Sequence, residues 1–344
     1  MRVVVVGNGT IGSRHATYLR EAGHEVVTVD PAGGADHDRT SRVPDPARVD
    51  AWIVATPTAA HLPVLGEILR RRPDARVLLE KPACYPTEIA DLARLVRRHP
   101  RSRTVVNDIY GHSGAVRRFA ESVRLHGGAD PIRKVTVEFT KNRELDVANG
   151  RFVDTQYGEA GYEYFHMLSL LRSILPADLY GTYLRTVPAQ VTPEMRVKTS
   201  AENLPEIELY ASSTGVIGHP ELAGFAFSDP AAKRHITRSL IPYGENLRYR
   251  FADVELMSGK HITLVFEVHY GADAEYKNKH AVHIRDAVSW RHFLISGNHF
   301  KEALLLQLDL LGRAMEGTAL LRLPEHRFLA GLGWATSTVL CHSL

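Results

Sequence analysis

Arg2-Val3-Val4-Val5-Val6-Gly7-Asn8-Gly9-Thr10-Ile11-Gly12 is the stretch that decides the fold. Its β-branched run, Arg2–Val6, is apolar toward both faces, as expected of a parallel strand covered on each side. Residues 7–12 match G-x-G-x-x-G, helical spacing follows over Gly12–Ala22, and Gly23 supplies the stop. In a dinucleotide fold Gly7 permits the tight turn and Gly9 lets the backbone approach a pyrophosphate. Gly12 lets helix and strand pack closely, while Asn8, Thr10 and Ile11 complete the loop. The free N–H groups that open the helix would face the phosphates. Asp30 lies 18 residues beyond Gly12, at the end of a second apolar strand, Glu25–Val29. A carboxylate there accepts hydrogen bonds from ribose hydroxyls and repels a 2′-phosphate. NAD is therefore the expected cofactor, ahead of NADP; Arg39 and Arg42 in the next loop could reverse that preference by folding back.

The alternation continues outward. Ala51–Ala55, Arg76–Leu79 and Thr104–Val106 read as strands and His61–Arg72 and Thr87–Arg98 as helices. Residues 31–48, rich in Pro, Gly, Asp and Ser, read as a loop. Repeated βαβ units predict an α/β fold with a doubly wound parallel sheet. After a helix at Ala115–Leu125 the character changes. Ile132–Phe139, Ile207–Tyr210, Tyr249–Leu256, Ile262–His269 and His280–Ile284 read as strands, with one long helical pattern at Glu159–Leu175. That predicts a second α/β domain with an open, mainly antiparallel sheet, closed by helices at His299–Met315 and Arg327–Leu340. The boundary falls near residue 120, giving a nucleotide-binding domain over 1–120 and a substrate-binding domain over 121–344. Trp290 is expected in the core of the second domain.

The 344 residues are 44% hydrophobic and 24% charged, with a net charge of +3 and two cysteines. Dispersed charge of this size gives no basic stripe for nucleic acid. No stretch nears the roughly 18–20 apolar residues of a membrane span. The apolar run after Arg2 is too short for a signal sequence and reads as a strand, so a cytoplasmic location is expected. Cys84 and Cys341 form neither a disulfide framework nor a metal pattern. His280-x-x-His283 cannot share an ion if it lies in a strand, because residues three apart point to opposite faces. No metal is expected.

Two further motifs carry a family resemblance. Ala55-Thr56-Pro57-Thr58-Ala59-Ala60-His61 follows the third strand and Glu80-Lys81-Pro82 the fourth. With the glycine loop and His15, they resemble the glucose–fructose oxidoreductase / inositol dehydrogenase / rhizopine-catabolism (Gfo/Idh/MocA) family. The resemblance implies hydride transfer between a nicotinamide and a sugar, cyclitol, aminosugar or nucleoside-like polyol, interconverting a secondary alcohol and a ketone. It also implies a second domain used for oligomerisation, hence a homodimer or homotetramer. Thr56, Pro57, His61, Glu80, Lys81 and Asn107 would lie beside the cofactor, with Lys81 catalytic. A lysine at the C-terminal edge of such a sheet can hydrogen-bond a substrate hydroxyl and stabilise developing alkoxide charge.

The family's second catalytic motif is Asp-x-x-x-His on a helix. His166 matches the histidine here, but Tyr162 stands at the aspartate position. Residues 159, 162, 163 and 166 would share one helical face, leaving Leu168, Leu171 and Leu175 for the core. Tyr162 could relay the proton, or Glu159 or Glu163 could supply the carboxylate. Alternatively the site has left redox chemistry for non-enzymatic sensing or repression, or for NAD-assisted lyase or glycosidase chemistry. Tyr110, Asn142, Arg143 and Glu163 are further candidates for contacting substrate.

Overall fold

A computed structural model describes residues 1–150, 156–157, 160–192, 195–223, 230–267, 277–313 and 319–341. The chain divides into two compact units, Met1–His112 with Phe300–Arg327, and Ser113–His299 with Phe328–Leu344. No helix among the described residues is long and apolar enough to cross a membrane.

The first unit is built on β1 (Arg2–Val6), β2 (Glu25–Val29), β3 (Ala51–Val54), β4 (Arg76–Leu79) and β5 (Arg103–Val106), with the short strand Ala319–Leu320. All pair in parallel, in the order Ala319–Leu320, β5, β4, β3, β1, β2. Val3 to Val6 and all of β3 are buried, as their unbroken apolar character requires. The helix Thr10–Glu21 follows the glycine loop. Thr58–Arg71 begins three residues earlier than its periodicity suggests, because Pro57 supplies the extended residue from which the helix starts. The helix His299–Arg313 brings Leu304, Leu308 and Leu311 into the core formed by Val3, Val5, Leu19, Ile53, Leu78 and Val105.

The second unit carries an eight-stranded sheet. Its strands are β6 (Ile132–Thr140), β7 (Gln190–Val191), β8 (Arg196–Thr199), β9 (Glu206–Ser212), β10 (Tyr249–Leu256), β11 (His261–Val265), β12 (Lys279–Arg285) and β13 (Trp290–Ser296). The order is β13-β12-β11-β10-β6-β9-β8-β7, antiparallel throughout except for β6 with β9. Val135, Val137, Ala252, Val254, Leu264 and Val282 share one buried face. On the other, the register lines up His283, Thr263, Asp253, Thr136 and Glu208 across five strands. β13 corrects one expectation: Trp290 is 57% exposed, because it begins an edge strand and is not core. His280 and His283 diverge as the two-residue period demands. The first bonds His299, and the second stacks on Trp290 and His292.

Candidate active site

The glycine loop is shaped by contacts that exclude side chains. Gly7 has φ +93°, and a Cβ on it would come within 2.6 Å of the Ala55 carbonyl. A Cβ on Gly12 would lie 1.7 Å from the Gly7 carbonyl, so helix and turn can close only over a bare Cα. Above Gly9 there is open space. The helix Thr10–Glu21 has neither a side-chain cap nor an acid in its first turn, which leaves its leading N–H groups for an anionic group. Two buried polar atoms around this loop, Thr56 Oγ1 and His15 Nδ1, have no protein partner. Open backbone, a free helix end and unpaired polar atoms suit a dinucleotide diphosphate.

Asp30 is where the sequence places a ribose acceptor. Its carboxylate accepts from the Asn8 N–H at 2.6 Å and the Ala32 N–H at 2.8 Å, so it is already oriented at the mouth of the loop. Neither Arg39 nor Arg42 folds back on it; both pair with Asp38 on the surface.

Glu80 closes β4 at the centre of a buried network. Its Oε1 accepts from His15 Nε2 at 2.7 Å and from Asn107 Nδ2 at 2.5 Å, and Oε2 accepts from the Lys81 N–H at 3.3 Å. Burial would raise its pKa, but these donors and the neighbouring Lys81 charge prevail and hold the carboxyl at about 2. His61 ties the two motif loops together, with Nδ1 2.9 Å from the Pro82 carbonyl and Nε2 2.8 Å from that of Thr56. Sequence reasoning missed three members of this neighbourhood. Gln307 donates to Asn107 Oδ1 at 2.8 Å and accepts from the Asp108 N–H at 2.9 Å. His326 accepts from the Ala83 N–H at 3.0 Å, and Arg322 pairs with Asp108 at 2.6 Å. They belong to the segment 300–327, about 200 residues on, and nothing local marks them. Tyr110 is buried at 2% exposure.

In the second unit His166 sits on the helix Ala160–Ile174, half-buried between the buried Phe165 and Met167. Leu168, Leu171 and Leu175 are buried, as their spacing predicts. Glu159 and the Tyr162 side chain lie outside the described residues. Glu163 is buried between two guanidiniums: it accepts from Arg143 and, at 2.6 Å, from Arg250. Arg250 also lies over the Phe139 ring at 5.1 Å. Lys141 pairs with Asp146 at 2.9 Å. The Asn142 amide bonds the carbonyls of Thr214 and Ile241 and the N–H of Glu144. Among the described residues no group of three or more His, Cys, Asp or Glu could hold a metal ion.

Comparison with known proteins bears on the stretch that carries the glycine loop and the E-K-P motif. Residues 1–107 match the family described as the oxidoreductase family with an NAD-binding Rossmann fold, GFO_IDH_MocA. The nucleotide-binding domain is that of the Gfo/Idh/MocA oxidoreductases. No curated protein matches the chain by sequence. Among solved structures of this architecture is KijD10, a 3-ketoreductase from Actinomadura kijaniata in complex with NADP and TDP-benzene. It is 16% identical, with 98% of this chain and 97% of that one covered and a TM-score of 0.64. Another is the UDP-N-acetylglucosamine 3-dehydrogenase GnnA from Acidithiobacillus ferrooxidans, at 16%, 96%, 95% and 0.56. A third, an oxidoreductase from Agrobacterium radiobacter in complex with NAD+, L-tartaric acid and magnesium, gives 11%, 98%, 96% and 0.61. At these identities the likeness is one of fold.

Proposed function

We propose that the protein is an NAD(H)-dependent oxidoreductase interconverting a secondary alcohol and a ketone on a sugar, cyclitol, aminosugar or nucleoside-like substrate. The observation that carries this reading is the E-K-P loop. Lys81 follows a Glu80 fixed by two donors, at the C-terminal edge of a parallel sheet and in the domain that holds the glycine loop. The nicotinamide, when bound, accepts or gives the hydride. Lys81 then hydrogen-bonds the reacting oxygen and stabilises its developing negative charge. His166 is the second proton-handling residue, and Arg143 and Glu163 serve substrate binding. NAD is favoured over NADP because Asp30 accepts at the loop mouth while Arg39 and Arg42 are paired elsewhere. A 3-ketoreductase and a 3-dehydrogenase of the same fold support a ring carbinol as the reacting carbon.

The test is spectroscopic. Purified protein is incubated with NAD and a panel of cyclitols, sugars, aminosugars and sugar nucleotides, and nicotinamide reduction is followed. Lys81→Ala should lower turnover at least about a hundredfold while NAD binding persists. Turnover that survives in the variant would remove Lys81 from the chemistry. Tight NAD binding without turnover on any substrate would favour a sensor in place of an enzyme.

A further inference from the structure

The loop Glu80-Lys81-Pro82-Ala83 is gripped on both sides of Lys81 by the same distant segment of the first unit. On the upstream side, Gln307 donates Nε2–H to Asn107 Oδ1, which turns the Asn107 Nδ2 toward Glu80 Oε1. Gln307 is itself oriented, because its Oε1 accepts from the Asp108 N–H while its Nε2 also meets the Ala303 carbonyl at 3.1 Å. Two amides in series thus have only one satisfied orientation, and that orientation aims a donor at the Glu80 carboxylate. On the downstream side, His326 Nδ1 donates to the Arg322 carbonyl at 2.7 Å, which leaves Nε2 as the acceptor for the Ala83 N–H. Gln307 is 1% exposed and His326 is fully buried, so water cannot replace either partner.

We infer that Gln307 and His326 brace the catalytic loop as positioning residues that set where Lys81 is held. The inference rests on the proposed role of Lys81 as the residue that meets the reacting oxygen. Both residues act through backbone and side chains of the loop, so their loss displaces Lys81 without removing it. Burial holds the His326 pKa at about 3, which keeps its acceptor nitrogen available across the working pH range.

The discriminating variants are isosteric. Gln307→Glu places carboxylate oxygen against the Asn107 and Ala303 oxygens. His326→Leu removes the acceptor for Ala83, whereas His326→Gln restores one near the same position. Three quantities are read on the full chain: kcat and KM for the polyol, NADH affinity by fluorescence, and the acetylation rate of Lys81 by acetic anhydride, followed by peptide mass spectrometry. The brace predicts that Gln307→Glu and His326→Leu each lower kcat about 10- to 100-fold, as for catalytic groups displaced by about an ångström. It also predicts a Lys81 acetylation rate altered at least about threefold, and recovery of both quantities in His326→Gln. Variants that lose thermal stability but keep the wild-type kcat and Lys81 reactivity would overturn it. If the wild-type protein turns over no polyol, the proposed activity fails by that result alone. The acetylation rates still decide the brace.

Discussion

Gly9 and Gly12 lie three residues apart in one motif, yet they are glycine for different reasons. A Cβ on Gly12 would strike the Gly7 carbonyl, whereas a Cβ on Gly9 meets no protein atom within 4 Å. Gly12→Ala should therefore destabilise the first unit by at least about 2 kcal/mol, because strand turn and helix must separate. Gly9→Ala should leave stability within about 0.5 kcal/mol, since its φ of −71° suits alanine. It should nonetheless weaken NAD binding at least about tenfold by occupying the space a pyrophosphate needs. Chemical denaturation and NADH fluorescence titration of the two variants separate the effects; equal losses of stability would contradict the geometry. The motif alone indicates that both positions are glycine, and their surroundings in the fold distinguish a packing role from an access role.

At the scale of elements, the helix Ala160–Ile174 is joined to β10 and to the turn after β6 by one buried carboxylate. Glu163 accepts from Arg143 on the turn and Arg250 on the strand, with all three side chains about one-tenth exposed or less. Removing the anion takes from two guanidiniums in a water-poor setting the carboxylate they share, and the contact Arg143 keeps to Asp146 is longer, at 3.7 Å, so the loss exceeds what the bridge contributes. Glu163→Ala should lower the stability of the second unit by about 3 kcal/mol in urea unfolding. A loss below about 1 kcal/mol would mean that water or another anion replaces it. The helix itself was legible from its spacing, and so was the burial of Leu168 and Leu171. The ion bridge was not, because Arg250 lies 87 residues from Glu163 and neither residue type reports its partner. β13 shows the converse difficulty: Trp290 reads as core by its size, but an edge strand leaves it largely in solvent.

For the whole molecule, buried histidines make stability depend on pH. Burial depresses His326 in the first unit to about 3, and burial followed by the His292 charge depresses His283 in the second to about 4. Both lie below the ordinary value of 6.5, so between these limits the unfolded chain binds more protons than the folded one. Their contribution is fully present above pH 6.5 and is lost as pH falls toward the folded values. His326 accounts for a loss of about 1 to 2 kcal/mol between pH 6.5 and 5, and the less deeply buried His283 for a smaller one. Glu138 in the second unit runs the opposite way. Burial pushes it up to about 7, so its contribution is largest below 4.5 and disappears as pH rises through 7. It opposes His283, whereas His326 acts in the other unit. Calorimetry from pH 7 to 5 should show a falling thermal midpoint, and His326→Gln should flatten it; an unchanged slope would mean His326 is already protonated. The sequence by itself determined the parallel sheet, the glycine loop, Asp30 and the E-K-P motif. Those depend on patterns a few residues long, in which strand, turn and helix follow one another and local sterics leave few alternatives. Only the tertiary structure decided what holds that motif in place. Gln307 and His326 reach it from the far end of the chain, and a hydrogen bond across some 200 residues leaves no periodicity to read.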